Sequence, residues 1–349
     1  MIIFLIAFLC ICLYKARFSN FHEDYMKKEQ TGSVKGIFAI IIVFSHFRGY
    51  VELSNGFIDT SFEWVIGLFG QLMVTLFFFY SGYGILKSYK LKEDYAKSFF
   101  KKRILKTLLH FDLVVILYVI LSFIIKAEYS WVDYVFAWVG WTAVGNSNWF
   151  IFVILSLYVI TLIAFFIPKK KDPLLVTCLV FVFSCILFLS LYLAKKESWW
   201  MDTLFCYCAG MVFALIESKI KEIMFKSKFY NYGIIFVCAI SFCLSYLFAN
   251  KILPFVVAGN ITAVLFCLTV VLALTKIKID NAILRWLGKY SFYIYICQRL
   301  PMIILSEIGL TNSVLFFIIS LCLTLGISVL ADFLINKADK KFLLKVKES

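Results

Sequence analysis

Histidine, proline and paired-cysteine motifs are what this chain has little of. It holds three histidines and four prolines in 349 residues. So little proline leaves no Pro-rich linker, and no repeat or low-complexity tract marks a second, soluble module. The eleven cysteines fall inside apolar runs, Cys206 and Cys208 among them, with no CxxC spacing. That argues against a zinc ribbon and for small packing residues, and no metal is expected. Met1 to Tyr14 is apolar from the start and lacks the basic leader of a signal peptide, so a retained, short first span is expected. Charged residues make up only 16% of the chain. The net charge of +14 would suggest nucleic acid in a soluble protein, but here it points to cytoplasmic loops, anionic membrane lipid and phosphates; no nucleic acid is expected.

What the chain has is hydrophobic length. It is 63% hydrophobic with a mean hydropathy of +0.93, and its apolar runs of roughly 18–23 residues can each cross a bilayer. The expected fold class is all-α, a polytopic integral membrane helical bundle of about 11 transmembrane helices. Spans are expected at 1–14, after Ser33, and at 64–86, 104–125, 149–167, 174–194, 200–216, 232–249, 255–275, 286–305 and 313–335. The stretch 126–148 is only moderately apolar and reads as interfacial or re-entrant. Alternating the loops leaves only Arg48, Lys126, Lys195, Lys196, Lys251 and Arg299 outside among the 35 Lys and Arg. That bias predicts an outside amino end and a cytoplasmic carboxyl end.

The stretch Ser33 to Arg48 stands out within this frame. Lys35 and His46 bracket an apolar helix, eleven residues and about 16 Å apart, so that Lys35, Ala39, Ile42 and His46 form one stripe. An ionisable group inside a membrane helix is costly unless it is used. Arg103 and Lys106, three apart at a helix start, share a face where the helix dipole favours anions. Gln71 and Thr75 could line the cavity of His46. Gln298 and Arg299 sit near the outer end of their helix. His110 and Asp112 read as interfacial anchors. Glu52, Asp59, Glu63 and Asp133 all fall on the outer side, and any of them could orient the imidazole.

These elements together resemble membrane-bound acyltransferase family 3, the O-acyltransferases of bacterial surface polysaccharides. Lys35-x10-His46 is similar to the family's Arg-x10-His signature, and Arg103-Ile-Leu-Lys106 to its Arg-x-x-Arg motif. The run ending Ser81-Gly82-Tyr83 and the element Asn148-Trp149-Phe150 resemble two further family segments. Leu287 to Gln298 resembles a late segment that ends in histidine, which here is Gln298. The departures are lysine at 35 and 106, glutamine at 298, and one span more than the family's ten. Lysine keeps the charge and loses the bidentate fork.

The expected division is an extra amino-terminal span and linker over 1–30, beyond what the family has, then a membrane acyltransferase domain over 31–336 and a basic cytoplasmic tail over 337–349. The resemblance implies a bacterial cytoplasmic membrane protein that moves an acyl group, with acetyl the expected one, from cytoplasmic acyl-CoA to a hydroxyl of an envelope glycan or lipid-linked saccharide. Acetyl-CoA would be the co-substrate, held by Lys35, Arg103 and Lys106, with His46 as general base or acyl carrier. Arg48, Gln71, Ser81, Asn148, Trp149 and Gln298 are the expected acceptor-side residues, and Arg48 could serve a succinyl donor. An exporter or polymerase of lipid-linked polysaccharide is the rival reading. The polar positions gather in the first third of the chain, which favours one site over a conduit.

Overall fold

A computed structural model describes residues 1–53, 56–226, 228–279 and 281–345; the last tail residues, 346–349, lie outside the described residues. The chain opens with α1 (Ile2–Leu13), α2 (Lys28–Phe47), α3 (Phe57–Phe69) and α4 (Leu72–Leu91). A short α5 (Tyr95–Phe99) runs through a π-helical turn (Phe100–Leu105) into α6 (Lys106–Ile124). There follow α7 (Trp131–Ala137), α8 (Trp149–Phe166), α9 (Pro173–Leu193), α10 (Phe205–Lys226), α11 (Lys228–Ile252) and α12 (Phe255–Ala273). The chain ends in α13 (Ala282–Cys297), α14 (Arg299–Glu307) and α15 (Ser313–Lys345). Two-residue strands β1 (Arg17–Phe18) and β2 (Ile277–Lys278) pair antiparallel.

Nine helical segments among the described residues are long and apolar enough to cross a membrane. The difference from the eleven expected has two physical sources. α1 has only twelve residues, too few for a full bilayer crossing at 1.5 Å per residue. The expected span 286–305 is divided into α13 and α14 at Gln298. The outer faces are those of a membrane bundle: α6 exposes Leu113, Leu117, Ile120, Phe123 and Ile124, while its opposite side buries Phe111, Val115 and Tyr118. The chain is an all-α, multi-pass membrane protein.

Two helix pairs carry the closest packing. α2 meets α13 where a Cβ on Gly36 would strike the Leu284 carbonyl and one on Gly288 would strike the Gly32 carbonyl. α4 meets α10 in the same way, Gly82 against the Tyr207 carbonyl and Gly210 against the Phe79 carbonyl. Small residues let backbones approach and gain dispersion contact where the lipid supplies no hydrophobic drive. The amino-terminal half of α2 is thereby held close against α13.

The basic end of α2 is tied down by polar contacts. Lys278 pairs with Asp24 at 2.6 Å, and Gln30 Nε2 donates to the Ile277 carbonyl at 3.1 Å. Asn281 caps α13 by accepting from Leu284 N at 2.9 Å and donates to the Ile11 carbonyl at the end of α1. At the opposite end of α2, Ser130 and Asp133 form a reciprocal capping box on α7, and Thr142 donates to the Asp133 carbonyl at 2.7 Å. These bonds fix the irregular segment 138–148, which carries no helix of its own.

Candidate active site

A cavity of about 640 Å³ opens among α2, α4, α8, α13 and the π-helical turn. Lys28 and Lys35 from α2 and Arg103 from the π turn line it, and Lys35 lies within electrostatic reach of both other cations. No carboxylate pairs with Lys35 or Arg103 among the described residues. The neighbours of Arg103 are the phenols of Tyr95 and Tyr158. Like charges gathered in a confined space without a counterion repel one another, and a polyanion entering the cavity relieves that repulsion.

The cavity changes character with depth. Ile42, Val74, Phe77, Phe150 and Ile154 line it together with Tyr80 and Tyr295. The Tyr80 hydroxyl is buried without a hydrogen-bond partner, and the Tyr295 ring lies edge-on to Phe150 at 5.3 Å. Ser81 lines the same space and shares a 2.8 Å hydrogen bond with the Tyr158 hydroxyl. Lys106 does not line it. The π turn is wider than an α turn, so Arg103 shares its face with Thr107, four residues on, and both reach the cavity.

A second cavity of about 350 Å³ lies at the other end of α2 and contains His46. Trp141, Trp149, Trp199 and Trp200 supply its aromatic walls. Lys196 donates to the Trp141 carbonyl at 2.9 Å and stands 3.8 Å and 4.3 Å from the Trp141 and Trp200 ring centroids. Burial holds its ammonium pKa below the ordinary lysine value. Asn146 Nδ2, Ser147 Oγ and His46 Nδ1 are all buried without partners. Asn148 also lines the pocket, and its side chain donates to the Gly140 carbonyl at 2.9 Å.

The imidazole of His46 lies beside Gln298 and within electrostatic reach of Arg299, and Gln298 Oε1, like His46 Nδ1, is buried without a hydrogen-bond partner. Gln298 is fully buried at the break between α13 and α14, and its Nε2 donates to the Tyr295 carbonyl at 3.1 Å. Arg299 Nε donates to the Tyr50 hydroxyl at 2.8 Å. No carboxylate bonds to His46 among the described residues. Asp133 lines the pocket, but its Oδ2 accepts from both the backbone and the hydroxyl of Ser130. Glu52, Asp59 and Glu63 line neither cavity, and neither do Arg48 and Gln71. The Arg48 guanidinium lies against Gly67 of α3. His110 is buried in the bundle and shares a 2.9 Å hydrogen bond with Tyr293.

The fold thus brings Lys35, Arg103 and Ser81 to one cavity, and His46, Asn148 and Trp149 to the other. Residues that sequence reasoning left aside complete both. Lys28 falls in a stretch of mixed charge that reads as a linker, and in the fold it opens α2, two turns before Lys35. Lys196, Trp199 and Trp200 form a basic and aromatic cluster in an otherwise apolar stretch, a signal that pairs a cation with ring faces. Asn146 and Ser147 carry no such signal.

A family model described as an acyltransferase domain, that of acyltransferase family 3, matches residues 33–333. Comparison with curated proteins and with solved structures finds no match. The match begins two residues before Lys35, inside α2, and covers every residue that lines either cavity except Met26, Lys28 and Thr31. The chain belongs to acyltransferase family 3 and is a multi-pass membrane acyltransferase.

Proposed function

We propose that the chain transfers an acyl group, acetyl in the first instance, from cytoplasmic acyl-CoA to a hydroxyl of a cell-envelope glycan or lipid-linked saccharide. The observation that carries this reading is the meeting of two unlike cavities at one helix. Ile42 lines the cationic cavity, and His46, one turn later, lines the tryptophan pocket. The phosphates of the donor would rest on Lys28, Lys35 and Arg103, and its pantetheine arm would run along the apolar walls toward Ile42. A sugar would lie against the tryptophan faces, with Asn146 and Ser147 offering unfilled hydrogen bonds to its hydroxyls.

In the transfer step, His46 takes the proton of the acceptor hydroxyl. The hydroxyl oxygen then forms a bond to the thioester carbonyl carbon, the C–S bond breaks, and the proton passes to the departing thiolate, so that CoA leaves as the free thiol. Gln298, whose buried Oε1 has no partner, would orient the imidazole in place of a carboxylate. The basic loops and the bias of Lys and Arg favour a cytoplasmic position for the Lys28 end, in a bacterial inner membrane. The acceptor then approaches from outside.

The test uses purified protein in detergent with radiolabelled acetyl-CoA and a saccharide acceptor. Label transferred to ester, dependent on His46, supports the reading. Unaltered transport or chain elongation of a lipid-linked saccharide with no ester formed would overturn it.

A further inference from the structure

A third cavity, of about 320 Å³, adjoins the tryptophan pocket. We propose that it is a second acceptor subsite, which takes the acidic sugar unit next to the one acylated. The inference rests on the acyl-acceptor reading above. Tyr50, Tyr118, Tyr129, Arg299, Ser306 and Glu307 line it. Arg299 lines the tryptophan pocket as well, so one guanidinium borders both spaces. The partition between them is a single strip of backbone: Val144 and Gly145 face one cavity, Asn146 and Ser147 the other. Gly145 has φ +93, and a Cβ there would stand 3.0 Å from Ile303 Cδ1. Glycine keeps the partition thin where the two spaces meet. A saccharide chain crossing this strip sets one ring beside His46 and the next ring among the tyrosines.

The charge of that second unit follows from Arg299, the cavity's cation, since Glu307, the carboxylate in the same lining, is exposed and does not pair with it. Its Nε meets the Tyr50 hydroxyl, and one terminal nitrogen reaches the Asn146 carbonyl at 3.4 Å. No carboxylate pairs with it among the described residues. A guanidinium offers five N–H donors, so most remain available to a ligand. A carboxylate or phosphate on the saccharide matches that planar fork, and a neutral hydroxyl uses it poorly. The tyrosine faces suit the body of a sugar ring.

The test gives purified full-length protein acetyl-CoA and fragments of the source cell's envelope glycan, one, two and four units long. Each length is supplied with its acid groups intact, with carboxylates reduced to alcohols, or with phosphates removed. The two-unit acidic fragment is expected to exceed the one-unit fragment at least tenfold in kcat/KM. Whichever treatment abolishes that gain identifies the anion. Ser306→Trp fills the cavity from an exposed position and brings the two-unit to one-unit ratio to parity; Glu307→Trp serves the same purpose if that variant fails to fold. Arg299→Gln removes the acidic preference, and Arg299→Lys keeps part of it. Equal rates for one and two units in the wild type, or a ratio unchanged by both plugs, would overturn the subsite. If no fragment of any length is acylated, the acceptor reading itself fails and the subsite with it.

Discussion

Ile42 and His46 lie one helical turn apart on α2 and line different cavities. On the proposed reading, the donor arm passes the side chain at 42 to reach the imidazole. Ile42→Trp is expected to lower kcat by about 10²-fold, since small displacements from attack geometry cost about that much. Binding of CoA itself should stay within a few-fold, because the cations lie toward the other end of the cavity. Parallel titration of CoA and steady-state transfer would separate the two effects.

Arg103 and Lys106 offer a direct contrast. The π turn carries Arg103 to the cavity and leaves Lys106 outside its lining. Arg103→Ala should raise the KM for acetyl-CoA about 10- to 100-fold, the scale of a lost charge-assisted hydrogen bond. Lys106→Ala should change it less than threefold. Repeating the pair with a donor lacking the 3′-phosphate tests whether Arg103 acts on that group, since its effect should then shrink.

How much of this was legible beforehand depends on the kind of feature. The bundle and the place of His46 inside an apolar helix follow from hydropathy and residue spacing, both local properties of sequence. Asn148, Trp149, Lys35, Arg103 and Ser81 were also readable, as motif positions. The face of Lys106 was not, because the α-helical i, i+3 rule assumes a regular turn and Phe100–Leu105 is π-helical. The break at Gln298 was hidden inside one continuous apolar run. Asn146, Ser147 and Lys196 meet only through tertiary folding, with 50 residues of chain between them, and no local pattern announces that. The stripe from Lys35 to His46 was right in its geometry, yet its two ends face separate cavities.

Gln298 lies beside His46 with its Oε1 buried and unpartnered, and the proposed mechanism gives it the orienting role. Gln298→Ala should lower kcat about tenfold with KM nearly unchanged, the cost of one orienting hydrogen bond. A rise in KM with kcat preserved would instead make Gln298 an acceptor contact. Restoring a titratable group with Gln298→His separates the roles further, since it should recover rate only if orientation is what matters.

The glycine contacts predict stability. Gly210→Ala drives a methyl into the Phe79 carbonyl, and Gly82→Ala one into the Tyr207 carbonyl. Each should cost at least about 2 kcal/mol, as overpacking of a rigid contact does. Gly326→Ala, with open space around it, should be neutral or stabilising by roughly 0.5–1 kcal/mol. Thermal melts followed by size-exclusion chromatography in detergent compare the three.

The Asp24–Lys278 pair gives stability a pH dependence. The Lys278 ammonium, hydrogen-bonded to Asp24, holds its carboxyl below the ordinary value of 3.8. A lowered folded-state pKa contributes stability above the ordinary carboxylate range, and that contribution is lost as pH falls through the lowered value. Asp24→Asn should therefore melt earlier than the wild type at pH 7, and the gap should close as pH falls through the lowered carboxyl value.

The most direct test of the account compares wild type with His46→Ala at matched membrane abundance, reading ester-linked acetyl on purified envelope glycan. The account predicts that ester falls to background while the glycan is still made, exported and of normal length. Ester at the wild-type level, with export or chain length altered instead, would contradict it.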